Sequence, residues 1–299
     1  MKRGVWYAVG AYLLWGVFPI YIKLLQEVAP VEILAHRVVW SLVFVTALLT
    51  IQHRWEWLRS VAARPAIAGR FVATATVVSL NWGVYIWAIT SNRVVDASLG
   101  YFINPLVNVL LGALVLRERL RPVQWASIAV AALGVAWLTV LGGTLPWIGL
   151  TLAVSFGLYG LLRKTASLGA LEGLTLETGL LFPFALGYLL WLASSHQSTF
   201  VEASAAMRWL LAAAGPVTAV PLLLFAAGAR RIPLSLLGLL QYIGPSIQLM
   251  LGVWLYQEPF APAKAAGYAL IWAALALYSA AALWRTWRRA PAVAPDAQA

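Results

Sequence analysis

The chain has 299 residues, of which 62% are hydrophobic and only 10% are charged, whereas a soluble domain is nearer half apolar and a quarter charged. This composition indicates an integral membrane protein, and the lack of cysteine excludes disulfides, thiolate metal sites and thiol redox chemistry. The net charge of +11 does not predict nucleic-acid binding, because the basic residues lie between apolar spans, where a positive-inside topology explains them.

Apolar runs close to the length that crosses a bilayer predict about ten transmembrane helices. The first run is long enough to span and has no clear small-residue cleavage site, so we expect an uncleaved helix rather than a signal peptide. Prolines occur in the connections, as is typical of turns and first helical turns. The predicted spans are 5–25, 32–51, 70–91, 96–116, 123–141, 146–163, 172–193, 209–229, 234–256 and 264–284.

The connections alternate in their content of basic residues. One set, together with both ends of the chain, carries sixteen lysines and arginines, whereas the other set carries only Lys23, Arg93, Arg208 and Lys264. Because this bias sets the orientation of a membrane protein, both termini are predicted to be cytoplasmic. The Ala/Pro-rich segment 287–299 is predicted to be a disordered tail.

Two apolar stretches, 96–112 and 236–252, share a pattern of polar residues, prolines and glycines at a constant separation of 140 residues. In each stretch the polar positions fall at i, i+3 and i+7, which is one face of a helix. The prolines predict that both helices are broken, and two broken helices with one polar face are typical of a transporter's substrate site. The corresponding positions are Tyr101, Asn104 and Asn108 in the first stretch and Gln241, Gly244 and Gln248 in the second.

The separation of 140 residues also relates Glu118 to Glu258 and Pro122 to Pro262. Each half then holds about five spans, an odd number, so the second half should enter the membrane upside down. This pattern predicts an all-α integral membrane fold of two inverted five-helix repeats, at 1–141 and 146–286.

Ionisable residues within predicted spans are costly and therefore candidates for function. Arg37 corresponds to Glu177 at the same separation, which suggests a gate or an ion pair, whereas the alternative is that Arg37 snorkels to the headgroups. His36 and Glu177 are the candidates for proton coupling, and Arg37 joins them as a candidate gating residue.

Aromatic and amide side chains in the other spans suit a cavity for a planar or amphipathic organic molecule. The alternative for the aromatic residues is an interfacial belt. The predicted substrate-pathway residues are Trp15, Asn81, Tyr85, Tyr101, Asn104, Asn108, Tyr159, Gln241, Tyr242 and Gln248.

The sequence lacks the motifs of other chemistries. Aspartate occurs only at Asp96 and Asp296, no P-loop or G-x-S-x-G motif is present, and the three histidines are too scattered for a metal site. We therefore expect no enzymatic activity, cofactor or metal. The expected partners are a small-molecule substrate and the lipid bilayer, with no nucleic acid, for a monomer or homodimer.

Several motifs resemble the RarD branch of the EamA transporters, in the drug/metabolite transporter superfamily, over roughly Gly4 to Trp284. The resemblance rests on Glu32 to Ser41, Asn81-Trp82, Ala97 to Asn108 and Gln241 to Pro245. Asp96 stands where the family usually has glutamate, which keeps the charge. The resemblance implies ten helices, two EamA-type repeats and an inner-membrane carrier.

The predicted function is a secondary carrier that exports small amphipathic metabolites or drugs, amino-acid-like or chloramphenicol-like, across a bacterial inner membrane by alternating access. The alternatives are a nutrient or vitamin importer of the same fold and an intramembrane lipid-modifying enzyme.

Overall fold

The computed structural model describes residues 2–115, 117, 119–143, 145–164, 166–229, 231–232, 236–237 and 240–289. Within these residues the chain is helical and contains no strand, which confirms the all-α class. The helices are α1 (Lys2–Lys23), α2 (Pro30–Ile51), α3 (Trp57–Ala63), α4 (Pro65–Thr90), α5 (Val94–Val115), α6 (Pro122–Gly142), α7 (Trp147–Lys164), α8 (Ala170–Ser194), α9 (Thr199–Glu202), α10 (Ala205–Ala212), α11 (Ala214–Ala229), α12 (Ile243–Met250) and α13 (Pro262–Arg289).

In the described chain, eight helical segments are long and apolar enough to cross a membrane. Two shorter apolar helices, Trp147–Arg163 and Ile243–Leu255, lie where the sixth and ninth spans were predicted. The count of ten crossings stays a prediction. The last helix, α13, runs to Arg289, and the rest of the predicted disordered tail lies outside the described residues.

The predicted break at Pro105 is wrong, because α5 continues through this proline from Val94 to Val115. A proline removes a single backbone donor, and membrane helices tolerate this loss where neighbouring helices supply other contacts. The amide of Asn104 supplies one such contact by donating to the Ala153 carbonyl of α7 at 3.1 Å. The second copy of the motif is less regular, since α12 passes into a π-helical turn at Leu251–Leu255.

Contacts between connections define two ends of the helix bundle. At the first end, the Glu258 carboxylate accepts hydrogen bonds from the backbone N–H groups of Val94 and Val95 at 2.7 and 2.8 Å, and Lys23 donates to Asn92. We call this the arginine-poor end, formed by the connections 24–29, 91–93, 195–204 and 256–261.

The opposite end of the bundle holds the connections that are rich in basic residues. There Arg54, which follows α2, pairs with Glu172 at the start of α8. We call this the arginine-rich end, formed in the described chain by the connections 52–56 and 166–169 and by residues 231–232. The described connections at this end belong to the basic-rich set of the sequence, and those at the first end belong to the basic-poor set.

The packing of the helices supports the inverted repeat. The most extensive contacts between helices join α6–α13, α5–α7, α2–α8, α1–α11, α4–α7, α2–α11, α1–α12, α5–α12 and α4–α8. Exchanging the first five predicted spans with the second five reproduces this set of pairs. Arg117 and Gln257, separated by 140 residues, also share a left-handed backbone with φ of 55° and 54°.

The orientation of α2 and α8 agrees with inversion. Glu32 at the start of α2 accepts a hydrogen bond at 2.8 Å from the Thr199 hydroxyl, which follows α8. Arg54, which follows α2, pairs with Glu172 at the start of α8. These two helices are therefore antiparallel, as repeat-equivalent helices must be in an inverted repeat. The repeat itself stays a prediction.

Candidate functional site

A cavity of about 800 Å³ lies among helices of both halves of the chain. Its volume falls within the range of pockets for drug-sized ligands. Tyr242 lies outside the described lining and packs into an apolar cluster that contains Tyr268 and Ile271 of α13. The other nine predicted pathway residues line the cavity: Trp15, Asn81, Tyr85, Tyr101, Asn104, Asn108, Tyr159, Gln241 and Gln248.

Two of the lining amides connect helices. Asn81 of α4 donates to the Leu152 carbonyl at 3.1 Å and to the Ser155 hydroxyl at 2.9 Å, both on α7. Asn104 of α5 donates to the Ala153 carbonyl of the same helix. Such amide bonds hold membrane helices together, so Asn81 and Asn104 fix the cavity wall.

Two further amides are oriented by Asn104. The side-chain oxygen of Asn104 accepts hydrogen bonds from Asn108 at 3.0 Å and from Gln241 at 3.4 Å. Asn108 is an exposed side chain that lines the cavity. The paired motifs of α5 and of the chain preceding α12 therefore meet at one polar wall.

Arg37 lines the cavity and is only 7% exposed, so its charge does not reach the headgroups. Its Nε donates to the Thr218 hydroxyl at 2.9 Å. The guanidinium carbon lies 4.1 Å from the ring centroid of Trp82 and 5.0 Å from that of Phe18. Cation–π contacts of this kind stabilise a buried cation.

Glu177 faces Arg163 rather than Arg37, the residue 140 positions earlier with which the sequence paired it. Its Oε1 lies 3.9 Å from Nη1 of Arg163, and its Oε2 accepts a hydrogen bond from the Tyr159 hydroxyl at 3.1 Å. In an inverted repeat, two corresponding residues lie at equal distances from opposite ends of the helix bundle. Arg37 and Glu177 are each seven residues from the start of their antiparallel helices, or about 10 Å from opposite ends.

Arg163 lies at the end of the predicted span 146–163 and was not among the predicted pathway residues, although it lines the cavity. The available signal was its spacing from Tyr159, since residues four positions apart share one helix face. Glu177 itself lies behind the described lining, whereas its two partners, Tyr159 and Arg163, line the cavity.

His36 lies outside the described cavity lining, next to the arginine-poor end. Its ring centroid is 4.9 Å from that of Phe200, and its Nε2 is 4.0 Å from the Glu32 carboxylate. Neither ring nitrogen has a hydrogen-bond partner within the described residues. The described residues contain no group of three or more histidines, aspartates or glutamates that could hold a metal ion.

The cavity is asymmetric along the bundle. Its lining includes Leu168 and Ala170, from the connection between α7 and α8 at the arginine-rich end. Toward the arginine-poor end the bundle is filled by a cluster of buried apolar side chains that includes Ile22, Ile33 and Ile89. The cavity therefore extends to one end of the bundle and is closed toward the other.

Comparison with known proteins agrees with this architecture. Residues 2–140 match the EamA-like transporter family. The Protein RarD of Streptomyces exfoliatus is 47% identical over 97% of this chain and 92% of that protein. The uncharacterized transporter YojE of Bacillus subtilis (strain 168) is 45% identical over 97% of each chain. A crystal structure that is 21% identical covers 94% of this chain and 98% of its own, with a TM-score of 0.58, and shares the fold.

Proposed function

The chain belongs to the RarD branch of the EamA-like transporter family, and from this premise we propose that it is a secondary carrier exporting small amphipathic metabolites or drugs by alternating access. The family is one of membrane transporters, and the relatives are bacterial, so this is a multi-pass bacterial membrane protein. The observation that carries the proposal is a cavity of about 800 Å³ between the two halves, closed toward one end.

The direction of transport is inferred from the ends of the bundle. If the arginine-rich end faces the cytoplasm of a bacterial inner membrane, as the basic-residue bias predicts, the cavity is open inward. An inward-open cavity with a closed outer end is the state in which an exporter takes up substrate from the cytoplasm. An importer would release its cargo from the same state, so direction is decided by accumulation measured in cells.

The topology can be tested with reporter enzymes that are active only outside the cytoplasm. A fusion at Ala299 should be inactive, and a fusion at Gly143, between the predicted fifth and sixth spans, should be active. The physical reason is that sixteen basic residues lie at the chain ends and in the connections on the same side as Ala299, and basic residues are retained in the cytoplasm. Activity at Ala299 would contradict the inward-open assignment, and activity at both Ala299 and Gly143 would contradict the odd-numbered inverted repeat.

The carrier proposal predicts substrate flux that depends on Asn108. Metabolites that differ between cells with and without the protein identify candidate substrates, whose flux is then measured in sealed vesicles. Replacing Asn108 by leucine should lower flux at least about tenfold, because a desolvated polar contact to the substrate is lost. Membrane insertion should be unchanged.

The matched control is Gln26→Leu, which makes the same amide-to-leucine change in an exposed connection. Gln26→Leu should transport like the wild type. A sealed-vesicle preparation that modifies lipid and moves no solute would favour the intramembrane enzyme instead.

A further inference from the structure

We propose that the closed end of the cavity binds the carboxylate of a small organic acid, either a monoanion or a zwitterion, through Arg37. The inference rests on the proposed function, because it names the substrate class of the same cavity. It separates an amino-acid-like substrate, which carries a carboxylate, from a neutral chloramphenicol-like one.

The first observation is that the charge of Arg37 has no counterion among the described residues. Within the described chain no carboxylate forms an ion pair with it, and its one hydrogen-bond partner is the neutral hydroxyl of Thr218. The titratable groups that interact with it electrostatically are the phenols of Tyr21, Tyr85 and Tyr101. A cation buried at this depth is costly without a compensating anion, which a ligand entering the cavity could supply.

The second observation is a pair of unsatisfied polar groups in the same region. The Tyr85 hydroxyl is buried and has no hydrogen-bond partner in the described part of the chain, although Tyr85 lines the cavity. The Gln248 side-chain oxygen is also buried and has no partner among the residues of the described chain. The side-chain nitrogen donates to the Trp15 carbonyl at 2.9 Å, which fixes the orientation of the amide. Buried polar groups are normally paired, so these two atoms favour a polar ligand.

Ring contacts place Arg37 and Tyr85 in one cluster, and Gln248 lines the same cavity. Phe18 lies beneath the Arg37 guanidinium and stacks on Tyr85 with a centroid distance of 5.8 Å. Tyr85 in turn contacts the ring of Tyr101 at 5.7 Å. The guanidinium and the Tyr85 hydroxyl are donors suited to a carboxylate. The Gln248 oxygen can accept from a neighbouring ammonium or hydroxyl group of the same ligand.

The charges of the cavity lining favour a ligand group with a single negative charge. Among the described lining residues the two cations are Arg37 and Arg163. The Glu177 carboxylate lies 3.9 Å from Arg163 and compensates it, so one positive charge is left uncompensated. A carboxylate matches one charge, whereas a phosphate dianion would leave an excess negative charge in a desolvated site. The aromatic walls then suit the apolar body of the acid.

The test is calorimetric titration of the purified full chain in lipid nanodiscs with three probes: 3-phenylpropionate, its neutral amide 3-phenylpropanamide, and 2-phenylethyl phosphate. The acid should bind at least about tenfold more tightly than the amide, since charge-assisted hydrogen bonds are worth more than neutral ones. The phosphate should bind more weakly than the carboxylic acid. Tighter phosphate binding would overturn the assignment to a carboxylate.

Arg37→Gln should bring the acid and the amide to similar affinities, whereas Arg37→Lys should keep part of the preference because the charge remains. Arg59→Gln, in exposed helix α3, is the matched control and should behave like the wild type. If Arg37→Gln does not fold, the proposal is tested by the ratio of acid to amide affinity in the wild type and by the same ratio in Arg37→Lys. Equal affinities in the wild type, binding of neither probe, or an unchanged preference in Arg37→Gln would overturn the proposal.

The binding and flux measurements can refute the carboxylate site and the carrier proposal independently. Acid binding that depends on Arg37, in a protein that moves no solute across vesicles, would retain the carboxylate site and overturn the carrier proposal. Flux of a neutral substrate, in a protein that does not prefer the acid probe to the amide, would retain the carrier proposal and overturn the carboxylate site.

Discussion

Replacing Glu177 by glutamine is expected to abolish uphill accumulation of substrate while sparing exchange down a gradient. A proton-coupled carrier needs a group that binds and releases a proton while facing each side in turn. Glu177 is 1% exposed and lies within α8. Glutamine keeps its size and much of its hydrogen bonding and removes the titratable carboxylate. Accumulation in sealed vesicles under an imposed pH gradient measures the effect.

Two neighbours of Glu177 connect its carboxylate to the cavity, so that protonation of Glu177 can affect the cavity wall. The Tyr159 hydroxyl donates to Oε2, and Arg163 faces Oε1, and both residues line the cavity. A change in the charge of Glu177 would therefore alter the charge balance of the cavity wall. Substrate binding and proton binding are then expected to influence each other through Arg163.

The matched control for Glu177→Gln is Glu172→Gln. Glu172 lies five residues earlier on α8 and pairs with Arg54 at the arginine-rich end. Its replacement should leave uphill accumulation intact. Accumulation by Glu177→Gln that still follows the pH gradient would show that another group couples the proton. A wild-type protein that ignores both pH gradient and voltage would be a facilitator.

Hydropathy identified the helices because the bilayer requires long apolar runs whose backbone groups are satisfied within the helix. It did not predict local irregularities. The predicted span 209–229 is divided into α10 and α11, and α12 passes into a π-helical turn at Leu251–Leu255. The predicted break at Pro105 is absent because contacts from α7 stabilise α5 there. These features depend on neighbouring helices, which hydropathy does not describe.

Periodicity explains which predicted pathway residues share the cavity. Tyr101, Asn104 and Asn108 lie on one face of α5, so a single contact surface brings all three to the cavity. Tyr242 follows Gln241 directly, and adjacent residues of a helical turn point about 100° apart, so only Gln241 lines the cavity. The partner of Glu177 could not be read from its correspondence with Arg37, because the two residues lie near opposite ends of the antiparallel helices α2 and α8.

Replacing Gly100 by alanine is expected to destabilise the protein strongly and to abolish transport. A Cβ atom at Gly100 would lie 2.6 Å from the Gly149 carbonyl oxygen and 2.8 Å from the Leu152 Cβ, both on α7. The added methyl group must therefore separate α5 from α7, at a cost of about 1–3 kcal/mol or more. Thermal melting in detergent and vesicle flux measure the two effects.

Transport should fail together with stability because α5 carries the polar face of the cavity. Gly100 precedes Tyr101 directly, and a shift of α5 would lengthen the 3.1 Å hydrogen bond from Asn104 to the Ala153 carbonyl. Gly187→Ala is the matched control, since a Cβ at that site in α8 has no described neighbour within 4 Å. Gly187→Ala should melt and transport like the wild type. If Gly100→Ala keeps the wild-type melting temperature, the close approach of α5 and α7 does not contribute to stability, and the assignment of this contact as a fixed wall of the cavity is wrong.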